Sequence, residues 1–135
     1  MLQSKIISVV KGKSMKVNSK IMGDSGEKFA ANFLIDSGYK ILARNFRVHA
    51  TAEIDIIAQI DDTIVFVEVK TRSTNRFGTP AESVTIKKQK KIFTAAEIFL
   101  QQNNLNDKSC RFDVVEVFAM RNGFSANHII DAFAL

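Results

Sequence analysis

The sequence predicts a single α/β or α+β domain in which helices flank one central mixed sheet. Two observations predict this fold class. Apolar residues recur at helical spacing in two separate segments, and short apolar runs of strand length lie between and after them. The resulting element order, α-β-β-β-α-β-β, is typical of helices layered on a sheet. The 135 residues, 46% of them hydrophobic, are enough to build one core.

The first predicted helix begins near Asp24 or Ser25, because both residue types are good N-caps. It ends at Gly38, since glycine readily adopts the left-handed conformation that stops a helix. Its apolar stripe comprises Phe29, Ala30, Phe33 and Leu34.

A second helix and five strands make up the rest of the predicted domain. Thr79-Pro80-Ala81-Glu82 has the pattern of a capping box, so a long helix is expected to run to about Gln102, with Thr85 as an alternative start. Asp61-Asp62 and Asn122-Gly123 are turns between strands. The strands are expected at about 40–47, 54–59, 63–70, 112–119 and 127–133.

Composition excludes several classes of protein. No apolar run approaches the roughly 18 residues that span a membrane, and 6–10 is too short for the core of a secretory signal. The single cysteine, Cys110, forms no internal disulfide, which favours a cytoplasmic location. His49 and His128 have no metal-ligand spacing to it or to each other, so no zinc site is expected.

The net charge of +5 is unevenly distributed along the chain. Five of the 19 basic residues lie within 1–20, which holds no acid, and the remaining 14 balance the 14 acidic residues. We therefore expect residues 1–22 to be a flexible basic tail and 23–135 to be the domain. Such a tail is either a solvated arm or a nucleic-acid contact.

Two acids stand inside segments that otherwise read as buried strands. Asp55 is flanked by isoleucines, and Glu68 lies in an unbroken run of apolar residues. A charge in such a strand costs several kcal/mol unless something compensates it. Because strand side chains alternate, Lys70 projects from the same face as Glu68, and pairing through the turn brings Asp55 close.

Two acids and a lysine at the edge of a core favour a site for Mg²⁺ or Mn²⁺, because hard oxygen ligands suit these ions. Lys70 would then either stabilise charge that develops on a phosphate group or position the attacking water. The alternative is an ordinary salt bridge at a strand end.

Further polar residues are candidates for the same site, each with a structural alternative. Glu27 is a metal-site acid or a surface acid that favours the helix start. Glu53 shares a face with Asp55 and is either an outer acid of the site or a surface residue. Gln89 falls on the apolar stripe of the second helix, so it is a catalytic amide or a satisfied structural one. Asp113 is expected to pair with a local cation such as Arg111, with a role in the site as the alternative.

Basic residues cluster around these acids and are predicted to contact nucleic-acid phosphates. Arginine matches a phosphate with two donors, whereas lysine acts as a point charge. The alternative is a solvated basic face. The candidates are Arg44, Arg47, Arg72, Arg76, Lys87, Lys88, Lys90 and Lys91.

Taken in order, these motifs resemble the PD-(D/E)XK nuclease superfamily, and within it the YraN-like family, distant relatives of archaeal Holliday-junction resolvases. The shared pattern is Asp55 followed by Glu68-Val69-Lys70, and the resemblance covers residues 23 to about 120. It also rests on Gly26-Glu27, Gly38-Tyr39, 43–47, 53–58, 66–72, 87–91 and 111–113.

The resemblance implies a restriction-endonuclease-like αβββαβ core and a metal-dependent nuclease site. Asp55 and Glu68 would be ligands of Mg²⁺ or Mn²⁺, with Glu27 as the acid of the first helix. Lys70 would be the catalytic lysine, and Gln89 the glutamine that some branches carry on the second helix. Resolvase-like relatives suggest a homodimer.

The function predicted first is an endonuclease that hydrolyses phosphodiester bonds of DNA, including branched or damaged DNA, in the bacterial cytoplasm and without a membrane partner. A nucleic-acid-binding module with the same fold but no turnover is the alternative. A third reading is a protein-interaction domain whose acids form ion pairs in the core.

Overall fold

The computed structural model describes residues 3–11, 19–49, 52–72 and 84–134, with the backbone alone in 3–11 and 19–22. Across these ranges two helices and six strands form one mixed sheet and its covering layers. The elements are β1 Gln3–Lys11, α1 Ser19–Asp36, β2 Lys40–Val48, β3 Ala52–Ile60, β4 Thr63–Arg72, α2 Ile86–Gln102, β5 Ser109–Met120 and β6 Gly123–Phe133.

The sheet has the strand order β1-β6-β5-β4-β3-β2. All neighbouring pairs are antiparallel except β4 and β5, which run parallel from Thr63↔Ser109 to Arg72↔Phe118. Parallel neighbours need a crossover, and α2 provides it. The predicted α+β class and the order of elements from α1 onward are confirmed, consistent with a restriction-endonuclease-like core.

The beginning of the chain differs from the predicted flexible tail over 1–22. Gln3–Lys11 forms an edge strand along β6, from Gln3↔Ile130 to Lys11↔Gly123, and α1 begins at Ser19 rather than near Asp24. The run at 6–10 is rich in β-branched residues, which favour strands, and this preference outweighs the basic composition that indicated a tail. The capping box at 79–82 and Arg76 lie outside the described residues.

Each face of the sheet carries one helix and one apolar cluster. On one face, Ala30 and Leu34 of α1 pack against Val65 and Val115, which confirms the predicted stripe. On the other, Phe93 and Phe99 of α2 pack with Phe66, Phe112 and their neighbours. Since side chains alternate along β4, Glu68 follows Ile64 and Phe66 onto the α2 face.

The helix boundaries are set by turn chemistry. Gly38, with φ of 96°, follows α1, and the Tyr39 N–H donates to the Leu34 carbonyl. Thr85, the alternative start of the second helix, is the N-cap of α2. Neither of the described helices is long and apolar enough to cross a membrane.

Candidate active site

The site forms where β3 and β4 stop pairing. Their ladder ends at Ile56↔Val67, although β3 remains paired with β2 and β4 with β5 beyond that point. Past the ladder, Asp55 Oδ2 accepts a hydrogen bond of 2.8 Å from the Val69 N–H. The carboxylate therefore satisfies a main-chain donor that has lost its partner strand, and this holds Asp55 at the fork between the strands.

Glu68 lies beside this fork and is only 4% exposed. Its Oε1 atom is 3.6 Å from the Lys70 ammonium and also pairs with the Lys88 ammonium. Lys88 reaches Glu68 because it belongs to the first turn of α2, where its N–H donates to the Thr85 hydroxyl at 3.2 Å. The cap of α2 thus fixes the lysine over the acid.

Burial and charge perturb the ionisation of these groups. Burial, followed by the negative charge of Glu68, raises the pKa of Asp55 to about 8, although the Val69 hydrogen bond acts in the opposite direction. Burial and the neighbouring Lys88 lower the pKa of Lys70. Burial alone would lower the pKa of Lys88, but its hydrogen bond to Glu68 raises it overall. At neutral pH, burial and the neighbouring acid therefore favour the protonated form of Asp55 in the metal-free protein.

Asp55 and Glu68 open into a cleft of about 620 Å³ between β3 and the start of α2. Cations lie along the same walls, so a phosphate that enters meets positive charge before it reaches the acids. The lining residues are Arg47, His49, Ala52, Glu53, Asp55, Glu68, Thr85, Lys87, Lys88, Lys91 and Ile92.

Glu27 lies near the same acids and, after burial and Glu68, its negative charge contributes to the raised pKa of Asp55. With its amide nitrogen turned towards the acids, Asn45 donates to Glu27 Oε2 at 3.2 Å and to Glu53 Oε1 at 3.3 Å. Burial raises the pKa of Glu27 despite the nearby charge of Arg44. Within the described ranges, no three Asp, Glu, His or Cys side chains are grouped so as to hold a metal. The role of Glu27 as a third ligand stays a prediction.

Gln89 and Arg72 make contacts inside the protein. The Gln89 side chain donates to the Val84 carbonyl at 2.9 Å, which is the structural alternative for this residue, and its catalytic role stays a prediction. Arg72 Nε lies 2.6 Å from Glu116 Oε2. Of the predicted phosphate-binding residues, Arg47, Lys87, Lys88 and Lys91 line the cleft, whereas Arg44, Arg72 and Lys90 are not among its lining residues.

Glu116 is a buried acid that the sequence reading missed. It is 5% exposed and lies next to Lys70 across the parallel β4–β5 pair. An acid within Val114-Val115-Glu116-Val117 has the same pattern as Glu68 within its strand, so the signal was present. The pairing partner was not visible, because Arg72 is 44 residues away.

A second polar network lies on the α1 side of the sheet. Asp113, fully buried, pairs with Arg111 at 3.1 Å as predicted and with His128 Nε2 at 2.7 Å. Its Oδ1 atom also accepts the Asp131 N–H at 2.9 Å, and Arg111 donates to the Tyr39 hydroxyl. Arg111, His128 and the Asp131 N–H together saturate the Asp113 carboxylate, which indicates a structural role.

Comparison with known proteins identifies the family. The model of the uncharacterised protein family UPF0102 matches residues 26–117, a span that contains all of the acids and lysines described around the cleft. The chain belongs to the UPF0102 family.

Several UPF0102 proteins are similar to this chain over most of its length. A UPF0102 protein of Clostridioides difficile is 50% identical over 117 residues, and one of Caldicellulosiruptor bescii is 51% identical over 120 residues. Each alignment covers 87% of this chain and 100% of the relative. A UPF0102 protein of Caldanaerobacter subterraneus is 44% identical over 121 residues, with 98% of the relative covered. The YraN-like resemblance is thus supported at the level of the family.

Proposed function

We propose that this UPF0102 protein is a metal-dependent endonuclease of the PD-(D/E)XK superfamily that hydrolyses phosphodiester bonds of DNA, with branched or damaged DNA as the substrate class. One observation carries the proposal: Asp55 and Glu68 lie beside the β3–β4 fork and line one cleft together with several cations, and the Lys70 ammonium, which is not itself a lining residue, is 3.6 Å from Glu68. Acids for a metal and cations for phosphates then share one opening.

The donor set fits a hard divalent cation. Asp55 and Glu68 offer carboxylate oxygens, which suit Mg²⁺ or Mn²⁺. Because burial and the negative charge of Glu68 hold the Asp55 pKa at about 8, added positive charge between the two acids would favour the ionised form of Asp55. Asp55 and Glu68 would hold the ion, which when bound polarises a phosphoryl oxygen and lowers the pKa of a coordinated water.

The other residues bind and orient the substrate. Arg47, Lys87 and Lys91 would contact backbone phosphates at the cleft walls. The Lys70 ammonium would donate to a non-bridging oxygen of the scissile phosphate and stabilise its developing charge. Gln89 would orient water or a phosphate, and Glu27 would assist as a further acid of the metal site.

Cleavage of labelled duplex, flap and four-way DNA in Mg²⁺ or Mn²⁺ tests the proposal. We expect product with the wild-type protein and none in EDTA. Asp55→Asn and Lys70→Ala should lower the cleavage rate by about 100-fold or more, because each removes a group that acts in the transition state. Lys40→Ala is the control, because Lys40 is exposed and lies at the end of β2 that is away from the cleft. Circular dichroism verifies that each variant is folded.

Equal cleavage by the wild-type protein, Asp55→Asn and Lys70→Ala would contradict the proposal and indicate a contaminating nuclease.

The homodimer is also part of the proposal, since two copies could cut the two strands of a symmetric junction. Sedimentation equilibrium with and without a four-way junction measures it, and a monomer under both conditions would remove it.

A nucleic-acid-binding module without turnover is the second candidate, and the Lys88–Glu68 pair favours it. A lysine that already neutralises Glu68 lets the acids persist in the fold without a metal. Fluorescence anisotropy with labelled DNA in EDTA, combined with absence of cleavage in both metals on every substrate, would support this candidate over the endonuclease.

A further inference from the structure

The contact between Lys88 and Glu68 lies where the proposed metal chemistry takes place. Glu68 Oε1 is shared by two ammonium groups, one from Lys70 two residues along the same strand and one from Lys88 on α2. Besides burial, the charge of Lys88 contributes to lowering the pKa of Lys70, so the two ammonium groups lie close enough to repel each other. Two like charges are therefore held together by one buried carboxylate, which is an arrangement that a further cation would disturb.

Lys88 is the more exposed partner of the two. Its side chain is 42% exposed, against 26% for Lys70, and it faces the cleft that Lys87 and Lys91 also line. A lysine ammonium on a flexible four-carbon stem can leave one oxygen and enter open solvent without moving the backbone. The cap at Thr85 would keep the backbone of Lys88 in place while its ammonium group moves.

We infer that Lys88 is an exchangeable counter-cation, which neutralises Glu68 in the metal-free protein and is displaced into the cleft when a divalent ion binds at Asp55 and Glu68. This inference rests on the proposed function. The reason for the exchange is electrostatic: an ammonium and a divalent cation cannot share one carboxylate oxygen in a site of low polarity without strong repulsion. The released ammonium joins Arg47, Lys87 and Lys91, so metal binding makes the cleft more attractive to phosphate.

The exchange predicts that Lys88 opposes metal binding. Isothermal titration calorimetry with Mn²⁺ alone measures the metal affinity of each variant. We expect Lys88→Met to bind Mn²⁺ about tenfold or more tightly than the wild-type protein, because the competing charge is gone while the stem remains. Lys88→Arg keeps the charge and should retain affinity close to that of the wild-type protein. Lys87→Met, which removes the same charge from the same cleft wall, should change the affinity less than about threefold.

A second measurement follows the ammonium itself. Acetylation of lysines by a water-soluble ester, read by mass spectrometry, reports how free each amine is. Adding Mg²⁺ should raise the modification rate of Lys88 severalfold and leave that of Lys40 unchanged. Thermal unfolding gives a third readout: Lys88→Met should melt below the wild-type protein in EDTA and recover in Mn²⁺, because Glu68 regains a counter-charge.

The outcomes separate this inference from the proposed function. If the wild-type protein and Lys88→Met both bind Mn²⁺ with equal affinity, or if the labelling of Lys88 does not change although the wild-type protein binds the metal, the exchange is wrong and the metal site stands. If neither protein binds Mn²⁺, the metal site and the exchange both fail. If Lys88→Met binds Mn²⁺ and the wild-type protein does not, the exchange is supported, because Lys88 then prevents metal binding altogether.

Discussion

Gly26 of α1 lies against Thr71 of β4 so closely that a methyl group does not fit between them. A Cβ atom built on Gly26 would be 2.1 Å from Thr71 Oγ1 and 2.9 Å from its Cγ2. Thr71 follows Lys70, and Gly26 precedes Glu27, so this contact sets the distance between α1 and the part of β4 that carries the site.

Gly26→Ala should therefore destabilise the protein by about 1–3 kcal/mol, because the helix or the strand must shift to admit the methyl group. Urea unfolding measures the change. Gly23→Ala in the same helix is the matched control: a methyl group added at Gly23 would have no atom within 4 Å, so it should stabilise by about 0.5–1 kcal/mol through helix propensity. Adding Thr71→Ala to Gly26→Ala should restore part of the loss, and an absence of any rescue would contradict the steric explanation.

The buried Asp113 network is the basis of a second prediction about stability. Asp113→Asn should cost about 3 kcal/mol, since Arg111 and His128 lose their shared carboxylate and the new amide presents a donor to the Asp131 N–H. Asp62→Asn removes an acid that is 85% exposed and pairs with Lys108, and it should leave the unfolding midpoint unchanged within error. Equal effects of the two substitutions would show that the network contributes nothing beyond a surface pair.

The high pKa of Asp55 predicts how the metal-free stability depends on pH. The pKa rises from an ordinary value of 3.8 to about 8 in the folded protein, so folding favours the protonated form. The stabilisation is complete below about pH 4 and is lost progressively up to about pH 8, by roughly 2–5 kcal/mol. Unfolding in EDTA across this range measures the slope. Asp55→Asn, which stays neutral, should remove most of it, and an equally steep slope in that variant would assign the dependence to other groups.

The cations of the cleft predict the salt dependence of DNA binding. If Lys87 and Lys91 each contact one phosphate, their double substitution by alanine should reduce the slope of log affinity against log salt by about 1.8. Lys40→Ala combined with Lys108→Ala, at the opposite end of β3 from Asp55, is the control of equal charge. An unchanged slope in the Lys87/Lys91 double variant would exclude both residues from the interface.

Local pattern was sufficient for most of the architecture. Helical spacing predicted the buried faces of Ala30 and Leu34, and alternation predicted that Glu68 and Lys70 project together. The edge strand β1 was missed because its partner β6 lies more than 100 residues away, and composition alone does not reveal such pairing.

The same limitation applies to the polar contacts of the site. The approach of Asp55 to β4 could be predicted from one short turn. The contacts of Lys88 with Glu68 and of Arg72 with Glu116 could not be predicted in this way, because they depend on the crossover through α2. That crossover sets the parallel register Lys70↔Glu116, and no local pattern gives this register. The catalytic and metal-binding roles of Asp55, Glu68, Lys70, Glu27 and Gln89 stay predictions.

The division of polar groups between the two faces of the sheet has a practical consequence for protein engineering. Glu68 and Lys88 meet on the α2 side, and the Asp113 network lies on the α1 side, so the sheet separates these two groups of side chains. Substitutions around Phe33 or His128 can therefore be tested for stabilisation while the Glu68–Lys88 pair is left intact.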